Sequence, residues 1–261
     1  MNNINIISGI VKEVSEHNLM PWYTNVRAQS KQDGSIVTQA DISVQEAIKT
    51  KLFEQFPQYG FFAEEMTDSE MQSFFTENQS GYWCLDPLDG TSNFSTGLPY
   101  FAISLALIKD NQCIMGLVYD PTRDECFSAI KGSGAWLNDQ PIIQKDVPEK
   151  LSECIAIVDF KRLPTELSVK LASRPPYRSQ RSFGAAALDW CWLATGRSQL
   201  FLHGKQMLWD YAAGLLIAQE AGCIACDLHG KPIFEQSLQP KKVLAAVDES
   251  LHKQWLEYVS S

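Results

Sequence analysis

The segment Trp83-Cys84-Leu85-Asp86-Pro87-Leu88-Asp89-Gly90-Thr91-Ser92-Asn93-Phe94 says more about the fold and chemistry of this chain than any other. Its apolar run, Tyr82–Leu85, reads as a buried strand that stops at Asp86. A carboxylate there is costly unless it is paired or bound to a cation. Pro87 removes a backbone donor and fixes φ, predicting a turn that brings Asp89 to the side of Asp86. Leu88 then offers its carbonyl oxygen to the same space. Two carboxylates and a carbonyl are hard oxygen donors, suited to Mg²⁺ and not to a thiophilic metal. Gly90 allows close backbone approach, and Thr91–Thr96 opens a helix whose N–H groups can hold a phosphate. Taken alone, Asp-Pro and Asp-Gly are also ordinary turn dipeptides.

Two further acidic stations stand outside this segment. Glu64 and Glu65 follow the apolar Phe61-Phe62-Ala63, and Asp210 lies between aromatics in Trp209-Asp210-Tyr211-Ala212-Ala213-Gly214. Singly, the glutamates read as solvated surface and Asp210 as a helix N-cap. Three acidic stations, each after a strand-like or aromatic stretch, point instead to convergence on one site.

Around these stations the chain alternates between helical and extended patterns. Val44, Ile48, Leu52 and Phe56 recur every four residues, predicting an amphipathic helix over 41–56 that Pro57 ends. A strand follows at Tyr59–Ala63, then a polar helix over Ser69–Thr76 with Asp68 as N-cap. Phe101–Lys109, Cys113–Tyr119 and Glu125–Ile130 form a β-meander. The polar, proline-punctuated stretch 141–150 divides the chain into an N-terminal subdomain, 1–145, with most of the acids, and a C-terminal one, 146–261, with Asp210. The second part predicts strands at Cys154–Val158, Gln199–Leu202 and Cys223–Asp227, with helices from near Ala185 and over Asp210–Glu220. The class is α+β, with layered helices and sheets.

Composition bounds the partners. Over 261 residues, 22 Lys and Arg face 31 Asp and Glu, a formal net charge of −9. With no dense basic run, this argues against nucleic acid as a partner. No apolar window approaches the ~20 residues that span a bilayer, and no secretory leader is legible, so a cytoplasmic protein is expected. Seven cysteines sit among apolar neighbours and read as reduced core residues. Cys223-x-x-Cys226 is expected to be strand packing, since a zinc site would want a second pair or matching histidines. Lys170, Arg174, Arg178 and Arg181 are surface charges, or else they meet a second anionic group or a dimer interface. A haloacid-dehalogenase-type phosphatase needs Asp-x-Asp, whereas these acids stand three apart with proline between.

These motifs resemble those of the inositol monophosphatase family of Mg²⁺-dependent, lithium-sensitive phosphatases. W-C-L-D-P-L-D-G-T-S-N-F matches the family's first signature and W-D-Y-A-A-G-L-L-I-A-Q-E-A-G its second. Val37-Thr38-Gln39-Ala40-Asp41 and Ala63-Glu64-Glu65 supply two further blocks in order, so the likeness runs from about Val37 to Gly222. The resemblance implies a layered αβαβα sandwich of the sugar/inositol phosphatase type, a homodimer, and two to three Mg²⁺ ions per site. One ion falls to Glu64, Asp86 and the Leu88 carbonyl, and a second to Asp86, Asp89 and Asp210. Asp41 serves a third indirectly, with Glu64. Glu65 and Thr91 match the pair that orients the attacking water, with Asp89 beside them. Asp89, Gly90 and Thr91 match the phosphate-binding turn, while Gly184, Ala185 and Ala186 match the alcohol side.

The implied reaction is hydrolysis of a small inositol-like, sugar or amino-alcohol phosphate by metal-activated water. Histidinol phosphate, fructose bisphosphate and 3′(2′),5′-bisphosphate nucleotides are substrates elsewhere in the superfamily. An inactive metal-binding regulatory relative is the alternative from another class. One position departs from the pattern. Inositol-phosphate members tend to carry Glu seven residues before the second-signature Asp, and here that residue is His203. His203 either meets substrate, along with Asp210, or ends a strand facing solvent.

Overall fold

The computed structural model describes residues 2–23, 29–30, 36–37, 39–75, 81–144 and 147–261. Thr38, Thr76 and the expected 145/146 boundary lie outside these residues. Helix α1 (Asn2–Val14) buries Ile4, Ile7, Val11 and Val14 at spacings of three and four, one stripe of an amphipathic helix. A two-stranded antiparallel pair, β1 (Gln29–Ser30) and β2 (Ile36–Val37), precedes α2 (Gln39–Gln55). Val44, Ile48 and Leu52 of α2 are fully buried, as their four-residue period predicts.

Then come β3 (Gly60–Ala63), α3 (Asp68–Phe74), β4 (Tyr82–Asp89) and α4 (Thr91–Thr96). The meander follows as β5 (Ala102–Lys109), β6 (Gln112–Asp120), β7 (Glu125–Ile130), β8 (Gly134–Leu137) and β9 (Gln140–Pro141). Strands β3 to β9 make one seven-stranded sheet in sequence order, antiparallel except for the parallel β3–β4 pair.

The remaining elements are β10 (Ile155–Asp159), α5 (Thr165–Ser173), β11 (Ser179–Arg181), α6 (Ala186–Ala194), β12 (Leu200–Gln206), α7 (Leu208–Glu220), β13 (Ile224–Cys226), β14 (Lys241–Ala246) and α8 (Glu249–Ser260). They build a second, mixed sheet in the order β11-β10-β12-β14-β13, with β10 parallel to both neighbours.

The layers follow from which faces are apolar. Strand β4 is buried along its whole length, and its side chains alternate between two cores. Trp83 and Leu85 face α1 and α2, while Tyr82 and Cys84 face α6 and α7. Helices α6 and α7 fill the space between the two sheets, and α8 covers the outer face of the second. The result is the expected αβαβα sandwich. Among the described residues no helix is long and apolar enough to cross a membrane. All seven cysteines are buried free thiols; Cys226 lies in β13, and Cys223, expected to open that strand, stands just before it.

Two local expectations are corrected. Helix α3 is capped by Thr67: its Oγ1 accepts the Glu70 N–H at 3.3 Å, and the Glu70 carboxylate accepts the Thr67 N–H at 2.8 Å. This reciprocal capping box places Asp68 inside the first turn. The strand expected to stop at Leu85 continues to Asp89, with a change of register in place of a terminating turn.

Candidate active site

The register change explains how two acids three residues apart serve one face. In the β4–β5 ladder Asp86 pairs with Ser104 and Asp89 with Ala102, so three steps on β4 match two on β5. A regular strand would send Asp86 and Asp89 to opposite faces. The extra residue of this bulge restores them to the same one. That face looks toward α6 and α7, since Ser104 Oγ donates to the Trp209 carbonyl at 3.2 Å. Strand β3 brings Glu64 alongside: Ala63 pairs with Leu85, and the Glu64 N–H donates to the Leu85 carbonyl at 3.1 Å. Glu64 thus lies one step on, next to Asp86, and Glu65 follows in the same turn.

Each aspartate is anchored by backbone. Asp86 Oδ1 accepts the Leu88 N–H at 3.0 Å, across the bulge. Asp89 accepts the Ala186 and Ala187 N–H groups at 3.0 and 2.6 Å, capping the start of α6. Asp210, in the first turn of α7, accepts the Met207 N–H at 2.8 Å. So Asp210 does stabilise its own helix start, as its sequence context suggested, and its carboxylate also faces the cluster.

Asp86 is 2% exposed and Asp89 8%. Burial pushes the Asp86 and Asp210 carboxyls well above the usual range, and the neighbouring acids add to it: Glu64, Asp89 and Asp210 on Asp86, Glu64 and Asp89 on Asp210. Asp89 is pushed up to about 7, as burial outweighs its N–H donors. Glu64, Asp86, Asp89 and Asp210 thus form one electrostatic group. Arg162 acts on Asp210 in the opposite sense, favouring its charged form. Among the described residues no three His, Cys, Asp or Glu side chains are set as a ready-made metal centre; both Asp89 oxygens are turned toward α6.

Thr91 Oγ1 donates to the Leu88 carbonyl at 3.0 Å, which commits its proton and leaves its oxygen as an acceptor. Gly90 adopts φ +90°, and a Cβ there would meet the Tyr100 carbonyl at 3.0 Å and the Ala185 Cβ at 3.1 Å. Ala185 is fully buried against Gly90, and Ala186 spends its N–H on Asp89. The Gly184–Ala186 segment therefore meets the signature loop. Asp41 is buried in the first turn of α2.

His203 does not end a strand in solvent. It lies inside β12, 8% exposed, with Nε2 3.0 Å from Asp159 Oδ2 and Nδ1 accepting the Lys205 N–H at 3.2 Å. The basic group disperses: Lys170 binds the Tyr258 carbonyl and Ser261 on α8 and its end, and Arg181 turns back on Ser179 and Gln180. Sequence reasoning passed over Asp159 and Arg162. The parallel β10–β12 register makes Asp159 a neighbour of His203, and no local pattern reports that pairing.

The inositol monophosphatase family matches residues 4–261 of the chain. An inositol-1-monophosphatase of Mesorhizobium japonicum is 32% identical over 79% of this chain and 77% of its own length. A protein of Pasteurella multocida named Nus factor SuhB is 32% identical over 77% and 74%. Among solved structures, Thermotoga maritima IMPase TM1415 superposes with a TM-score of 0.85 at 29% identity, covering 99% of this chain and 97% of its own.

Proposed function

The chain belongs to the inositol monophosphatase family, and from that footing we propose that it is a Mg²⁺-dependent phosphatase acting on a small phosphate monoester. One observation carries the reading: four carboxylates, Glu64, Asp86, Asp89 and Asp210, are delivered by two strands and a helix to one face, where Asp86 and Asp89 are buried. Such a cluster needs positive charge to ionise fully. Its donors are all oxygens, together with the Leu88 carbonyl, and this chemistry fits a hard divalent cation.

In the proposal Glu64, Asp86 and Leu88 hold one Mg²⁺, Asp86, Asp89 and Asp210 a second, and Asp41 supports a third indirectly. Bound there, the cations neutralise phosphoryl oxygens and acidify water. The chain's own residues do the rest. Glu65 and the Thr91 oxygen, its proton already given to Leu88, orient the attacking water. The turn Asp89-Gly90-Thr91 receives the phosphate, and Gly90 is required because a side chain there would collide with Tyr100 and Ala185. A cytoplasmic homodimer inhibited by Li⁺ completes the proposal.

Phosphate release from an ester panel, with and without Mg²⁺ and Li⁺, tests it. Asp89→Asn is expected to remove most activity while circular dichroism stays native, because a neutral amide lacks the second oxygen acceptor and the charge. Near-full activity of that variant, or release independent of Mg²⁺, would overturn the assignment. A second reading is a regulatory binding protein, favoured by the equal identity to a relative named as a Nus factor. It predicts Mg²⁺ binding by calorimetry without turnover of any ester.

A further inference from the structure

Helices α6 and α7 between them hold two of the four acids. Asp89 takes the Ala186 and Ala187 N–H groups at the start of α6, and Asp210 takes the Met207 N–H at the start of α7. One turn further along, the two helices touch. Trp190 stands four residues after Ala186, and Gly214 four after Asp210, so each shares a helix face with the residue that serves its acid. A Cβ on Gly214 would lie 2.6 Å from the Trp190 Cβ and 2.9 Å from its Cγ, so glycine admits the indole against the α7 backbone. Trp190 is fully buried, and its ring meets Phe201 edge-on at 4.8 Å.

One polar bond fixes the indole. Trp190 Nε1 donates to Gln206 Oε1 at 3.0 Å, and both side chains are wholly out of solvent. An indole N–H can only donate, so the amide oxygen faces it. The Gln206 Nε2 then has no partner among the described residues. A buried amide with an idle donor costs stability, which a pair of apolar side chains would avoid. Gln206 ends β12, next to Met207, whose N–H Asp210 holds. The bond therefore ties the turn before Asp210 to α6, whose first N–H groups hold Asp89.

We propose that Trp190 and Gln206 are positioning residues that fix Asp89 and Asp210 relative to each other, and so set the affinity for the Mg²⁺ these two acids share. The indole, seated on Gly214, sets the spacing of α6 and α7. Its bond to Gln206 sets where the turn into α7 stands. Both residues act through the two acids. A contact that served stability alone would be better made by apolar groups, whereas a polar bond in an apolar layer specifies one geometry. The inference rests on the Mg²⁺ sites of the phosphatase reading above.

Calorimetry of Mg²⁺ binding to the full chain tests this without any ester. The ion of interest is the one whose binding Asp210→Asn abolishes. Gln206→Leu and Trp190→Phe break the same bond, so each is expected to weaken that ion by about 3- to 10-fold, and the other Mg²⁺ less. Combining them should give the same loss as either alone, because one bond is lost only once. The combined variant should nevertheless melt at a higher temperature than Trp190→Phe, since Gln206 is no longer left buried and unpaired. Stability and cation affinity then move apart, which a merely structural contact would not produce.

Trp255→Phe is the control. It too loses an indole bond, to the Phe201 carbonyl beneath α8, and should lower the melting temperature with Mg²⁺ binding unchanged. Mg²⁺ binding unmoved by Gln206→Leu, or moved equally by Trp255→Phe, overturns the positioning role and leaves the phosphatase reading intact. Recovery of Mg²⁺ affinity along with stability in the combined variant overturns it as well. If Trp190→Phe fails to fold, Gln206→Leu set against Trp255→Phe still decides the matter. No Mg²⁺ bound by the unaltered protein overturns the Mg²⁺-dependent phosphatase reading, and the positioning role with it.

Discussion

Asn93 illustrates how single residues hold the site together. Its side-chain amide donates to the Tyr100 carbonyl at 2.7 Å and to the Phe183 carbonyl at 2.8 Å. It thus ties the signature loop to the segment leading into α6, whose first N–H groups hold Asp89. Removing it strands two carbonyls and loosens the loop. Asn93→Ala is expected to cost about 1–3 kcal/mol in urea unfolding and to lower kcat more than KM, because the loop positions reacting groups. Wild-type kinetics in this variant would show that the clasp is dispensable. Gly204 is a harder constraint, since a Cβ there would sit 1.9 Å from the Arg162 carbonyl oxygen, a backbone atom that cannot rotate aside. Gly204→Ala is expected to cost about 3 kcal/mol or more by overpacking, read as a lowered unfolding midpoint. The sequence shows Asn93 and Gly204 plainly, but the carbonyls they meet, seven to ninety residues away, are not local information.

Elements decide where the acids point. Strand β4 reads as an apolar run ended by a proline turn, yet it is continuous, and its bulge does what the turn was expected to do. The physical reason is that β5 continues the ladder past Pro87, so pairing wins over termination. The outer layer depends on α8, which lacked any signature in the sequence reading. Leu251 and Trp255 are fully buried beneath it, and Trp255 Nε1 donates to the Phe201 carbonyl at 3.2 Å. Trp255→Ala is expected to cost about 3–5 kcal/mol, measured by chemical denaturation. A cost under about 1 kcal/mol would mean that α8 contributes little to closing the second sheet.

At the scale of the whole molecule, the acidic centre is a stability liability that a cation would relieve. An acid whose folded pKa is raised holds its proton more tightly when folded. Its contribution to stability is complete below its unfolded value, about 4, and is lost as pH rises through the folded one. For Asp89 the folded value is about 7. Chelator-treated protein is therefore expected to melt at a lower temperature at pH 8 than at pH 6, with Asp89→Asn flattening part of that slope. Added Mg²⁺ should raise the melting temperature more at pH 8 than at pH 6. Equal Mg²⁺ effects at the two pH values would argue that the cluster is not where the cation binds.

The sequence alone determined the class, the layered architecture, the helix of residues 41–56, the meander, and the identity of the acids at the centre. Those features are written in short-range periodicity and in motifs of a dozen residues, which depend on neighbours within a turn or a strand. Tertiary structure alone decided which groups meet. It supplied the bulge that aligns Asp86 with Asp89, and the docking of Asp89 on α6. It also set Asp159 beside His203, a partnership across parallel strands forty-four residues apart that depends on register between distant segments.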